Sequence, residues 1–252
     1  MRLLALDLGN TRAKVALYAG DGTRQEVHNL PTGGSLPEQV NEMVRSFAPD
    51  FLAWANVQLP ELAHLMQQVR MPRDAVFEIT GSSPTPFPVA YHTRETLGAD
   101  RLAAIAGAWG EQQARKQEGP LLVIDIGTAI TYDLMDAQGT YLGGAISPGI
   151  QLRYVSLHRQ TARLPLVNPT ENPSVLGQDT QGAIQAGVQG GMLAELEHMA
   201  TLYQRQVSQP LTFFITGGDA PHFENLLSYT NFVRPHLVLD GLHQLALHRV
   251  HA

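Results

Sequence analysis

Short runs of Leu, Ile, Val and Ala ending at Asp, Gly or Asn alternate along this chain with longer stretches in which apolar residues recur every three or four positions. The first kind predicts buried strands and the second predicts helices. Strands are expected at Leu3–Leu8, Ala13–Tyr18 and Gln25–Leu30. Asp21-Gly22 is the turn between the last two, where a positive φ favours Gly. A helix is then expected at Glu38–Phe47, a strand at Phe51–Asn56 and a second helix at Glu61–Arg70. Pro84, Pro86 and Pro88 hold the next stretch extended. The helical pattern resumes over Ala99–Gln117, with Leu102, Ile105, Ala106 and Trp109 along one face.

The polar stretch Glu111–Glu118, closed by Gly119-Pro120, predicts a domain boundary and units of 1–117 and 118–252. Beyond it the opening pattern returns. Strands are expected at Leu121–Ile126, Ile130–Met135 and Tyr141–Ile146, with the turn at Asp136–Gly139. Helices at Ile150–Arg159 and Gln181–Gln206, a strand at Leu211–Ile215 and a helix near Leu239–His248 complete the second half. Asp7-Leu8-Gly9-Asn10-Thr11 and Asp125-Ile126-Gly127-Thr128-Ala129 both end an apolar strand in Asp-x-Gly and turn back through a short polar loop. The repeat is weak by identity and good by pattern. It predicts a duplicated mixed α/β unit with a ligand cleft between the copies.

Composition narrows the partners. The 44% hydrophobic and 16% charged content is that of a folded, soluble protein. With 17 basic and 23 acidic side chains the net charge is −6, which argues against nucleic acid or an anionic membrane as the main partner. Lack of cysteine removes disulfides, thiolate metal sites and a Cys nucleophile together. The uncharged run from Ala137 to Leu152 is broken by Gly139, Gly143, Gly144, Pro148 and Gly149, so it is no spanning helix of about 20 apolar residues. Asp7 cuts the Leu3–Leu6 apolar run short of the roughly 7–15 residues of a secretory segment. No signal peptide is expected, and the cytoplasm is the expected location.

The loops suit phosphate. Gly9 and Gly127 let the backbone approach a ligand and turn successive N–H groups inward as an anion-binding nest. Thr11, Thr128 and Thr131 add hydroxyls, and Lys14 adds a positive charge. Asp7 and Asp125 would repel bare phosphate, so their use is through a cation. Mg²⁺ takes one or two carboxylates and completes its shell with water and phosphate oxygens. One such loop alone reads as an ordinary turn. Two of them, each opening one half of the chain, predict a grip on the β- and γ-phosphates of a nucleotide. A third, Thr216-Gly217-Gly218-Asp219-Ala220, lies between the strand Leu211–Ile215 and an expected helix at Pro221–Leu227, where an adenosine loop would sit. Neither G-x-x-x-x-G-K-[ST] nor a strand-borne G-x-G-x-x-G occurs. The ten His residues lack zinc-ligand spacing, and His243, His248 and His251 read as surface residues.

The three loops in this order resemble the superfamily of sugar kinases, actin and heat-shock chaperones. Within it the chain resembles type III pantothenate kinases. The resemblance rests on Asp7–Lys14, Thr96-Leu97-Gly98-Ala99-Asp100-Arg101, Asp125–Thr131, Gly143–Gly149, Thr161-Ala162-Arg163-Leu164-Pro165 and Thr216–Ala220, and so runs from residue 7 to residue 220. It implies duplicated actin-like (ribonuclease H-like) domains with a nucleotide cleft between them, and ATP-dependent phosphorylation of pantothenate towards coenzyme A. It also implies a homodimer whose substrate site lies partly at the dimer interface, Mg²⁺, and a monovalent cation, K⁺ or NH₄⁺. Carried over by position, Asp7, Leu8, Gly9, Asn10, Thr11, Arg12, Ala13 and Lys14 are the first phosphate loop, with Asp7 holding Mg²⁺ through water. Gly127 and Thr128 contact ATP, Gly217 and Gly218 form the adenosine loop, and Asp125 is the monovalent-cation ligand. Gly98, Ala99, Asp100 and Arg101 hold pantothenate, with Asp100 as the base, and Tyr91 and Thr180 line the same pocket. Two departures bear on pocket shape: Ser147 stands where Ala is frequent, and Gln178-Asp179 precede Thr180.

Read without the resemblance, Asp100 is equally a helix N-terminal carboxylate, Arg101 a surface ion pair, Tyr91 a packing residue and Asp179-Thr180 a helix cap. An ATP-binding regulator or scaffold of the same fold, or a kinase for another small acid or sugar, also fits the loops, because they read ATP and not the acceptor.

Overall fold

A computed structural model describes the chain except for residues 10–11, 57–62, 65, 224–225, 230 and 252, and the side chain of Asn231. In the first half, β1 (Leu3–Leu8), β2 (Arg12–Tyr18) and β3 (Arg24–Pro31) form an antiparallel meander. β4 (Phe51–Asn56) and β5 (Val76–Ile79) add in parallel on the other side of β1, giving the order β3-β2-β1-β4-β5. The nearly unbroken apolar run of β1 makes it an inner strand, and every residue in it but Asp7 is buried. Between β3 and β4 runs α1 (Leu36–Phe47), which starts with Pro37 in its first turn and buries Leu36 and Val40. The next long helix is α2 (Ala99–Ala114).

The second half repeats the plan. β6 (Leu121–Ile126), β7 (Ala129–Met135) and β8 (Tyr141–Pro148) form the meander, and β9 (Thr212–Thr216) and β10 (Asn231–Val233) run parallel to β6, in the order β10-β9-β6-β7-β8. Its helices are α3 (Ile150–Gln160), α4 (Thr180–Gln185) and α5 (Gly191–Gln204), the last two joined by a π-turn at Ala186–Gly190. Leu122, Ile124, Ile130, Tyr132, Met192 and Leu196 are the centre of its core. The duplicated mixed α/β unit is therefore present strand for strand.

One expected boundary needs correction. The first unit comprises Met1–Gln117 together with His236–Ala252, and the second comprises Glu118–Pro235. The last helix, α6 (Leu237–His251), thus belongs to the first unit and not to a second unit of 118–252. The cause is a close helix crossing on small residues: a Cβ on Gly241 would lie 1.6 Å from the Ala103 carbonyl oxygen, and one on Gly107 2.3 Å from that of Leu237. Asp240 fastens the helix further by accepting a 2.7 Å hydrogen bond from the Tyr18 hydroxyl and pairing with Arg24. His243, expected at the surface, is only 4% exposed and stacks on the Tyr18 ring at 4.4 Å. Burial pushes its imidazole down to about 4.

Smaller differences follow from local chemistry. The expected helix Gln181–Gln206 is interrupted by the π-turn, and the described part of Pro221–Leu227 holds only a 3₁₀ turn at Ala220–His222. Strands β5 and β10, of four and three residues, were too short for the alternation pattern to mark. Of the expected helix Glu61–Arg70, residues 61, 62 and 65 lie outside those described; Ala63, His64 and Met66 are helical, and the chain turns at Gln67–Gln68, short of Arg70.

Candidate functional site

In the first unit the site begins where β1 ends. Asp7 stands opposite Lys14 in the β1–β2 ladder, and Leu8 opposite Ala13. Leu8 and Ala13 are buried, so their side chains serve the core while their backbone frames the loop. The Gly9 N–H donates to the Arg12 carbonyl at 3.1 Å and closes the hairpin, with Arg12 exposed at the start of β2. Asn10 and Thr11, both expected in this loop, lie outside the described residues.

The Gly-x-Asp-Arg segment opens α2. Gly98 is the N-cap, so Ala99, Asp100 and Arg101 form the first turn, where backbone N–H groups favour an anion. The Asp100 carboxylate folds back over this turn and accepts the Arg101 N–H at 2.9 Å. A Cβ on Gly98 would come within 2.4 Å of that carboxylate oxygen and would displace it from this position. Arg101 is 6% exposed, and its guanidinium lies 5.8 Å from the centre of the Tyr91 ring, in cation–π range. Asp7 is pushed up to about 6, first by burial; Lys14 pulls it down and the negative charge of Asp100 pushes it up again. Two carboxylates distant in sequence are thus close enough for the charge of Asp100 to disfavour ionisation of Asp7. Among the described residues no three His, Asp or Glu converge on a metal position. A divalent cation here would accordingly use one or two carboxylates and take its other ligands from water and phosphate, the pattern Mg²⁺ prefers.

Arg94 holds the loop that carries Tyr91, and the sequence reading missed it. Its Nε donates to the Gly81 carbonyl at 3.0 Å and its Nη2 to that of Ser83 at 2.7 Å. Gly81 is locked beneath, since a Cβ there would sit 2.4 Å from the carbonyls of both Arg94 and Leu97. A glycine two residues after a strand was the available signal.

The second unit gathers the other two loops. The Gly127 N–H donates to the Ala129 carbonyl at 3.1 Å, leaving Thr128 exposed at the tip and Asp125 half-buried at its base. Gly217, at φ +101°, would place a Cβ 2.3 Å from the Ile126 carbonyl oxygen, and Asp219 N–H donates to that same oxygen at 2.9 Å. The third loop is thus bonded to the strand that carries the second, with Gly218 exposed. Gly149, the N-cap of α3, donates its N–H to the Thr128 carbonyl at 3.0 Å. Thr180 opens α4, whose cap is Asp179 accepting the Gly182 N–H at 2.7 Å. Thr180 also lines a cavity of about 730 Å³ with Pro148, Leu152, Arg153, Ile184 and Val188. Asp7, Gly98–Arg101 and Tyr91 are thus gathered in the first unit, and Asp125, Gly127, Thr128, Gly217, Gly218 and Thr180 are carried by the second.

Known proteins match this arrangement. The family model of type III pantothenate kinase matches residues 3–202. A type III pantothenate kinase of Azobacteroides pseudotrichonymphae is 35% identical over 247 residues, covering 98% of this chain and 96% of its own. One from Porphyromonas gingivalis is 35% identical over 251 residues, covering 98% of both chains. Among solved structures, a glucokinase from an Antarctic psychrotroph superposes with a TM-score of 0.55 at 13% identity, covering 98% of this chain and 99% of its own. A Campylobacter jejuni chain named for the Baf family of transcriptional activators reaches 0.63 at 21% identity, covering 99% and 100%. These two likenesses speak for the actin-like fold alone.

Proposed function

We propose, from the premise that this chain belongs to the type III pantothenate kinase family, that Asp100 and the first phosphate loop form its reaction centre. The chain transfers a phosphoryl group from ATP to pantothenate, the first step of coenzyme A biosynthesis. Such a transfer needs an in-line hydroxyl, neutralised phosphoryl oxygens and an acceptor for the hydroxyl proton. Asp100 is the acceptor. Held at a helix N-terminus by the Arg101 N–H, it orients the hydroxyl and takes the proton late. Arg101, stacked on Tyr91, presents a planar fork suited to the carboxylate of pantothenate.

The observation that carries this reading is the first turn of α2, where Asp100 folds over the helix N-terminus beside the buried Arg101 and its charge reaches Asp7 at the base of the first phosphate loop. Magnesium held at Asp7 through water would supply the positive charge that keeps the Asp7 carboxylate ionised and offsets the phosphate oxygens. Asn10, Thr11, Arg12 and Lys14 complete the first grip on phosphate. Gly127 and Thr128 form the second, Gly217 and Gly218 receive the adenosine, and Asp125 binds K⁺ or NH₄⁺. Thr180 contacts pantothenate. The enzyme works as a cytoplasmic homodimer, a reading supported by the exposed Leu152, Leu166, Val175 and Leu176.

The test is ADP release from MgATP and pantothenate, in potassium and again in sodium alone. Pantothenate-dependent, potassium-stimulated release is expected. Asp100→Asn is expected to lower turnover by about 10²-fold or more while ATP binding persists. Near-normal turnover in that variant would remove Asp100 as the base.

A further inference from the structure

The second phosphate loop is backed by a polar stack that the transfer chemistry does not itself use. Arg153, in the first turn of α3, donates from Nε to the Pro148 carbonyl at 2.8 Å and from Nη2 to Ser147 Oγ at 3.2 Å. The same Nη2 meets a Glu195 carboxylate oxygen of α5 at 2.5 Å. The other oxygen of Glu195 accepts the Tyr132 hydroxyl at 3.1 Å. Burial pushes the Glu195 carboxyl up, but hydrogen bonds from Arg153, Ser147 and Tyr132 together hold it below the ordinary range, so the pair is charged at neutral pH. Pro148 leads into Gly149, whose N–H holds the Thr128 carbonyl. No side chain fits between the layers, because a Cβ on Gly149 would lie 2.1 Å from the Gly127 carbonyl oxygen and 2.6 Å from that of Thr128. The backbone of Gly127–Thr128 therefore rests directly on the segment that Arg153 and Glu195 clamp.

We infer that Arg153 and Glu195, bonded directly to each other, are positioning residues that fix the second phosphate loop for the nucleotide. One guanidinium thus holds the strand end, at Pro148 and Ser147, and the α5 carboxylate at once. The inference rests on Thr128 contacting ATP. It requires that the clamp affect nucleotide binding and leave pantothenate binding alone, although Arg153 also lines the cavity that holds Thr180.

The test measures KM for MgATP, KM for pantothenate, kcat and melting temperature for Arg153→Met, Arg153→Lys, Glu195→Gln and Thr128→Val. Arg153→Met is expected to raise KM for MgATP by about tenfold with KM for pantothenate unchanged, the size seen when supporting groups are removed. Arg153→Lys recovers little, because an ammonium lacks the fork that reaches Pro148, Ser147 and Glu195 together. It also decides the matter if the Met variant does not fold. Glu195→Gln, which loses the charge and one of the two acceptor oxygens, is expected to raise KM for MgATP in the same direction but by less than Arg153→Met. Combining Arg153→Met with Thr128→Val costs no more than the larger single change if both act at one loop. A lower melting temperature with KM for MgATP intact, or a rise confined to KM for pantothenate, overturns the inference. Should Thr128→Val leave KM for MgATP unchanged, the reading of Thr128 fails and the inference with it. A rise for Thr128→Val without one for Arg153→Met defeats the inference alone.

Discussion

The hairpins at Gly9 and Gly127 descend from one pattern, yet they are supported in opposite ways. Across its ladder, Asp7 faces Lys14 and feels Asp100, so the first loop is a place of unresolved charge. Asp125 faces Thr131 on one side and Thr216 on the other, and no lysine stands beside it in the ladder. The second loop is instead held by backbone: Gly149 beneath Thr128, and Gly217 and Asp219 against Ile126. Duplication supplied two equal scaffolds. What distinguishes them is that the first is set among charged side chains and the second is braced by backbone.

The sharpest way to break this contrast is to neutralise each aspartate in turn. Asp7→Asn is expected to reduce turnover by roughly 10²–10³-fold, in line with loss of a charge-stabilising group. Asp125→Asn should cost roughly tenfold and raise the potassium concentration needed for half-activation, both read from ADP release. Equal losses would erase the distinction between the loops.

Bracing is tested by adding single methyl groups. Gly149→Ala forces a Cβ to 2.1 Å from a carbonyl oxygen and should cost about 1–3 kcal/mol or prevent folding. Gly9→Ala brings its Cβ only to 3.1 Å from the Arg12 oxygen and should cost less than about 1 kcal/mol. Thermal melts of the two variants decide whether the second loop is the tighter one.

The smallest effect is on pH. Asp7 titrates near 6 in the folded chain against an ordinary 3.8. Its ionised form is the one a cation needs, so affinity for MgATP should weaken up to about tenfold between pH 6 and pH 5. Stability of the ligand-free chain runs the other way. An acid whose folded value is raised destabilises the fold above that value, and the penalty disappears as pH falls from about 6 towards 4. Asp7→Asn should therefore melt about 2–4 °C higher than the parent at pH 7.5, with the gap closing near pH 5.

Elements buried in one continuous run were legible from the chain itself. β1 and β6 stand where Leu3–Leu8 and Leu121–Ile126 predict them, because an inner strand must be apolar on both faces. Asp7, Asp100 and Arg101 could also be singled out from their motifs, and Tyr91 through the family resemblance; all four lie in the first unit. What stayed hidden depends on partners far along the chain. Nothing local marks Glu195 as the partner of Arg153, or Gly241 as the seat of Ala103. His243 reads as a surface residue alongside His248 and His251 of the C-terminal segment, whereas its burial is decided by Tyr18. The π-turn at Ala186–Gly190 was equally invisible, since a single extra residue in a helix barely disturbs its period.

The return of α6 to the first unit also has a bearing on synthesis. The second unit is one unbroken stretch of chain, Glu118–Pro235, and can complete its own core as soon as that stretch has left the ribosome. The first unit begins earlier and finishes later, because Gly107 and the Tyr18 hydroxyl wait for Gly241 and Asp240 to be made. The half that starts first is thus the half that closes last, and until then the seat of α6 stays uncovered.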